Sequence, residues 1–96
     1  MTYKTEFPDY PAADMPALPE GFIDNSWHNN SAPSYESRAL GLNIWIDYAD
    51  PKMHEIQSGK RFQVYPIEAK FGGFLADDPI LETDSWDDVL ALIHRR

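Results

Sequence analysis

Hydrophobic and polar residues alternate most regularly in LNIWIDY, residues 42–48. This period of two predicts a β-strand whose alternate side chains form one apolar face. The same pattern predicts a strand in RFQVYPIEA, residues 61–69, and a short strand in SYESRAL, residues 34–40, joined to LNIWIDY by a turn at Gly41. The stretch FGGFLADDPILETD, residues 71–84, indicates two further short strands around an Asp-Asp-Pro turn.

The C-terminal stretch DSWDDVLALIHRR, residues 84–96, has the period of a helix. Its apolar residues are spaced so that they share one helical face: Trp86, Val89, Leu90 and Ile93. We expect Ser85 or Asp84 to cap the N-terminus of this helix, with two acidic residues in its first turn.

Residues 1–20 hold four of the eight prolines, so neither a long helix nor a central strand is expected there. We expect an extended arm. Its aromatic residues, including Phe7 and Tyr10, favour packing along the domain, and docking of a partner is the alternative.

These elements predict one α+β domain over residues 1–96, with the proline-rich arm at 1–20 and a compact core at 21–96. We expect the core to contain an antiparallel sheet of three to four strands, with the C-terminal helix packed on one face and the arm along an edge. The hydrophobic content of 43% supports a folded chain.

The formal net charge of −8 changes the expected partners. So acidic a chain repels nucleic-acid phosphates, which argues against direct DNA or RNA binding and favours a basic protein partner or a nucleoprotein complex. Absence of cysteine excludes disulfides and thiolate chemistry. With no apolar stretch long enough to span a membrane, we expect a soluble cytoplasmic protein.

Acidic residues concentrate toward the C-terminus, where no lysine or arginine occurs between positions 71 and 94. This acidic end comprises Asp77, Asp78, Glu82, Asp84, Asp87 and Asp88. Such a group can bind a basic partner or a cation, or it can be a solvated face with helix-capping carboxylates.

A polar loop, GFIDNSWHNNSAPSYES at residues 21–37, contains the side chains that suggest chemistry most directly. His28 could act as a general base, Asn29 and Asn30 as oxyanion donors, and Ser26 or Ser31 as a nucleophile. The alternative is an ordinary turn-rich loop anchored by a buried Trp27. The three histidines are too widely spaced for a metal motif, so we expect neither a metal nor a cofactor.

The segments GFIDNSWHNNSAPSY, GLNIWIDYADP, KRFQVYPIE and ILETDSWDDVLALI together resemble a family of small uncharacterised proteins carried by bacteria, plasmids and phages. The resemblance covers about residues 20–93, and it implies no assigned activity. In that family SWHND precedes Cys-Pro-Ser, whereas this chain has Asn30 in place of the Asp and Ala32 in place of the Cys. By size and acidity the chain also resembles phage-encoded anti-CRISPR proteins.

We therefore predict a non-enzymatic, acidic protein-binding module. It would act as a phage- or plasmid-encoded inhibitor of a host nucleoprotein such as a CRISPR–Cas complex, using the acidic end together with Phe7 and Tyr10. The alternatives are a small hydrolase-like enzyme and a small-molecule-binding accessory protein, both using the Trp27–His28–Asn29–Asn30 loop.

Overall fold

The computed structural model describes residues 2–55, 59–67 and 78–95. Within these residues five strands form one antiparallel sheet and neighbour one another in chain order. The strands are β1 (Ile23–Asp24), β2 (Ser34–Ser37), β3 (Leu42–Ile46), β4 (Phe62–Pro66) and β5 (Leu81–Thr83). The α-helices are α1 (Tyr3–Glu6) and α2 (Trp86–His94), and short 3₁₀ helices cover Ala12–Asp14 and Pro51–Met53.

This architecture confirms the α+β prediction, with a sheet of five strands rather than three to four. The additional strand, β1, is only two residues long and lies inside the predicted polar loop. Of the two strands expected within residues 71–84, β5 is present, and the stretch 71–77 lies outside the described residues.

The turn between β2 and β3 fixes the register of the sheet. Gly41 has a φ of +66°, a left-handed conformation that glycine adopts without a steric penalty, and its N–H donates to Arg38 O at 3.3 Å. With this turn, Tyr35 of β2 faces Ile44 of β3, which in turn faces Val64 of β4. The apolar residues of the three strands therefore share one side, as the alternation predicted.

We call that side the core face. Its central side chains are almost completely excluded from solvent: Leu42, Ile44, Ile46, Phe62 and Val64. Val89 and Ile93 of α2 belong to the same buried cluster, so the predicted apolar stripe of the helix packs on the sheet. The rings of Phe62 and Trp86 lie 5.1 Å apart between their centroids.

The N-terminal arm contributes to this core. Phe7 and Tyr10 are 9% and 5% exposed and join the same cluster, so the arm packs on the domain. The arm is not fully extended, because α1 forms before the first proline. The helix ends at Glu6 with Phe7 as its C-cap, since Pro8 disfavours helical geometry at the residue that precedes it.

A hydrogen-bond cluster attaches the arm to the sheet. The Tyr10 hydroxyl donates to Asp47 O at 3.1 Å, and it accepts from Arg61 Nη2 at 3.0 Å. Arg61 also donates through Nε to Asp47 O at 3.2 Å and through Nη2 to Asp14 O. These contacts join positions far apart in the chain, which a local sequence pattern does not reveal.

The second side of the sheet differs in composition, and we call it the polar face. Because successive side chains on a strand point to opposite sides, its members are the residues that alternate with the core face: Ser34, Glu36, Asn43, Trp45, Gln63, Tyr65 and Glu82. In the portion of the chain that the structure describes, no helix is long and apolar enough to cross a membrane.

Candidate functional site

The polar loop between β1 and β2 is held by its serine and asparagine side chains. Ser26 Oγ accepts from Ser34 N at 3.1 Å and donates to Ser34 O at 3.4 Å. Asn25 Nδ2 donates to Asn43 Oδ1 at 3.0 Å, and Asn25 Oδ1 accepts from Ser34 Oγ at 2.6 Å. The loop is thus attached to β2 and β3 through its polar residues.

The prediction that Trp27 is buried is wrong. Its side chain is 39% exposed and stacks on His28, with 4.2 Å between the ring centroids. The interior that it was expected to fill is occupied by aromatic side chains of the arm. Asn29 and Asn30 are exposed, and the Asn30 N–H donates to Trp27 O at 2.9 Å to close a turn.

The catalytic candidates of this loop do not converge. His28 Nδ1 lies 2.9 Å from Glu6 Oε1, and the His28 N–H donates to the same oxygen at 3.3 Å. The hydrogen bond from His28 lowers the pKa of the Glu6 carboxyl. Ser26 is completely buried and bonded to the backbone of β2. His28 therefore binds Glu6 and Ser26 binds Ser34, so the two candidate catalytic side chains have different partners.

Some carboxylates of the acidic end form hydrogen bonds or ion pairs within the chain, and others form none in the described residues. Asp84 accepts from Arg61 N at 2.9 Å and lies 3.5 Å from Lys60 Nζ; the first of these contacts is the largest cause of its lowered pKa. Asp88 accepts from Thr83 Oγ1 at 2.7 Å, and Thr83 Oγ1 in turn accepts from Ser85 N at 3.0 Å. Asp88 therefore stabilises the start of α2, whereas Asp84 binds the backbone just before β4.

Of the two predicted caps, Ser85 and Asp84, Ser85 is the N-cap residue of α2. Its own side chain forms no capping hydrogen bond. The Thr83 and Asp88 side chains organise the start of the helix instead. The Asp84 carboxylate accepts from Arg61 N, just before β4, and does not cap the helix.

Three other acidic residues of the acidic end remain exposed: Asp78, Glu82 and Asp87. Across the described residues, their side chains have neither an ion pair nor a hydrogen bond. Asp77 lies outside the described residues. The predicted acidic surface thus retains Asp78, Glu82 and Asp87 as carboxylates available to a partner.

The aromatic part of the predicted binding surface is corrected by the structure. Phe7 and Tyr10 are core residues, so they are not exposed contacts for a partner. Trp45 and Tyr65 on the polar face are partly exposed instead, and Tyr65 lies near the acidic end. Burial, followed by the charges of Glu82 and Asp78, raises the pKa of the Tyr65 hydroxyl. Acidic and aromatic side chains are therefore neighbours here.

These polar-face residues were visible in the sequence as the alternate positions of LNIWIDY and RFQVYPIEA. Their exposure could not be predicted, because alternation tells which residues share a face, and not whether a face is covered. Asn43 shows this: it is only 2% exposed although it lies on the polar face.

Among the described residues, no group of three or more histidine, aspartate or glutamate side chains could hold a metal ion. No protein-family model, curated protein or solved structure matches the chain. The function is therefore argued from the residues and their geometry.

Proposed function

We propose that this chain is a non-enzymatic protein-binding module that docks on a basic partner through its acidic end. The observation that carries the proposal is the group of exposed carboxylates at Asp78, Glu82 and Asp87, which form no ion pair in the described residues. They add to a net charge of −8, and such a field accelerates association with a positively charged surface.

The partner class follows from the same chemistry. A basic protein within a nucleoprotein complex presents a positive surface to which a small acidic domain can bind in place of nucleic acid. Together with the resemblance to proteins of mobile elements, this supports an inhibitor carried by a phage or plasmid, acting on a host nucleoprotein such as a CRISPR–Cas complex. The engagement of Ser26 and His28 with separate structural partners supports a binding role over a hydrolytic one.

The test is association kinetics with a partner purified from the host. The double variant Asp78→Lys and Glu82→Lys should reduce the association rate about tenfold or more at low salt, because it removes and reverses the steering field. The wild-type rate should fall as salt rises from about 0.1 M to 1 M, where the Debye length shrinks from about 10 Å to 3 Å.

A matched control reverses two exposed acidic residues of the arm, Asp9 and Glu20, which gives the same change in net charge. This control should change the rate by less than about threefold, since charges outside the docking surface contribute only to the overall field. A salt-insensitive wild-type rate, or equal effects of the two double variants, would contradict the proposal.

A further inference from the structure

Two aromatic residues lie on the polar face, near the middle of the sheet. Tyr65 of β4 faces Asn43 of β3, and Trp45 lies two residues beyond Asn43 on the same side. Trp45 and Tyr65 are thus diagonal neighbours, with roughly 7–8 Å between their Cα atoms. Both side chains are partly exposed. Aromatic faces of this kind attract cations, and arginine more often than lysine.

Negative charge borders this aromatic pair. Glu82 of β5 lies opposite Gln63 of β4, which in turn lies opposite Trp45 of β3, so Gln63 separates Glu82 from Trp45 across the sheet. Both Glu82 and Asp78 are near enough to the Tyr65 hydroxyl to raise its pKa, after the larger effect of burial. At the other end of the face, Glu36 Oε2 lies 3.4 Å from Arg38 Nε. A carboxylate of this face therefore already binds a guanidinium group.

Asn43, between these acidic borders, has an incomplete set of hydrogen bonds. Its Oδ1 accepts from Asn25, but its Nδ2 is buried and has no partner in the described part of the chain. If both amides are rotated, the unpaired atom becomes an oxygen rather than a nitrogen. Asn43 is only 2% exposed, so the groups of this face that a partner can reach are the partly exposed rings and Glu82 around it.

We propose that the polar face is the docking surface for an extended, arginine-rich segment of a protein partner. The guanidinium groups of that segment stack on the partly exposed rings of Trp45 and Tyr65 and pair with Glu82. This inference rests on the proposed function and assigns it a surface. It requires the segment to be arginine-rich rather than merely positive, because guanidinium groups both stack on rings and pair with carboxylates.

The experiment titrates the isotopically labelled protein with an oligoarginine peptide and, separately, with an oligolysine peptide of equal length. Oligoarginine should move the indole N–H resonance of Trp45 while leaving that of Trp27 in place, and it should bind about fivefold more tightly than oligolysine. Tyr65→Leu should weaken oligoarginine binding about fivefold, and Tyr65→Phe, which keeps the ring, should restore it.

Matched variants separate this surface from general acidity. Glu82→Gln removes a charge on the polar face and should weaken binding about threefold, whereas Glu20→Gln removes an exposed charge of the arm and should weaken it less than twofold. Trp27→Ala removes an exposed ring in the loop and should have no effect. A dispersed amide spectrum for each variant shows that it is folded.

The outcomes distinguish this inference from the proposed function. If oligoarginine binds but shifts resonances of α2 instead of Trp45, or if oligolysine binds equally well, the polar-face inference is wrong and acidic docking survives. If neither peptide binds at low salt, the inference is wrong, and the proposed function then depends on its own kinetic test.

Discussion

The two faces of the sheet differ most clearly at neighbouring residues of β3. Ile44 faces the helix and the arm and is completely buried among apolar side chains. Asn43, one residue earlier, is almost equally buried but lies among polar and aromatic residues and leaves one amide nitrogen without a described partner. Burial therefore has opposite energetic signs at the two positions, since it favours an apolar side chain and opposes an unpaired amide.

This difference assigns separate roles to the faces. The core face stabilises the fold through contacts that the chain supplies itself, from α2 and from the arm. The polar face has an unpaired buried amide, which costs about 1–3 kcal/mol, and partly exposed rings that are not needed to complete the core. The partly exposed rings, rather than the buried amide, are the groups of this face that another molecule can reach.

The largest effect that tests this comparison is expected from Phe62→Ala. Phe62 is 1% exposed and packs against Trp86, so the substitution should lower the free energy of unfolding by about 3–5 kcal/mol. Denaturant unfolding measures the change. Ile23→Ala, at a residue that is 65% exposed on β1, is the control and should cost less than about 0.5 kcal/mol. A loss below about 2 kcal/mol for Phe62→Ala would mean that the core face is not the main source of stability.

A smaller effect is expected where the arm meets the sheet. Tyr10→Phe keeps the ring but removes the hydroxyl that bonds Asp47 O and Arg61, and it should cost about 1–2 kcal/mol. Tyr48→Phe is a matched control, because the Tyr48 ring lies 5.1 Å from that of Tyr10 and its hydroxyl has no hydrogen bond in the described residues. If both variants unfold at the same denaturant concentration, the arm is not fastened by this cluster.

The elements of the core face were accessible from the sequence because their signals are local. Alternation predicted β3 and β4, and helical spacing predicted α2, whose apolar stripe packs as expected. The strand β1 was missed because two residues are too short for a period. Its pairing of Ile23 with Glu36 depends on the polar loop that connects β1 to β2.

The candidate site was harder to predict because it depends on contacts between distant residues. A tryptophan in a polar loop was expected to fill the core, but Tyr3, Phe7 and Tyr10 already occupy it and Trp27 remains at the surface. Likewise, the sequence did not show which acidic residues form hydrogen bonds within the chain. Asp84 and Asp88 accept from Arg61 and Thr83, and these contacts exist only in the folded structure.

The smallest expected effect concerns the contact between Glu6 of α1 and His28 of the polar loop. The hydrogen bond from His28 lowers the pKa of Glu6 from its ordinary value of 4.5. A carboxyl with a lowered pKa in the folded state stabilises the fold above its unfolded pKa, and this contribution is lost as the pH falls through the folded value. Because His28 is 55% exposed, solvent screens the pair and the effect should be modest.

Unfolding measured from about pH 6 to about pH 3 should therefore show a steeper loss of stability for wild type than for Glu6→Gln. His28→Ala should remove the same pH-dependent part, since it deletes the donor that lowers the pKa. Glu20→Gln, at an exposed residue of the arm, should retain the wild-type slope. Parallel curves for wild type and Glu6→Gln would show that this contact does not fasten α1 to the loop. The arm would then be attached to the core face by its buried rings and by the hydrogen bonds of the Tyr10 hydroxyl.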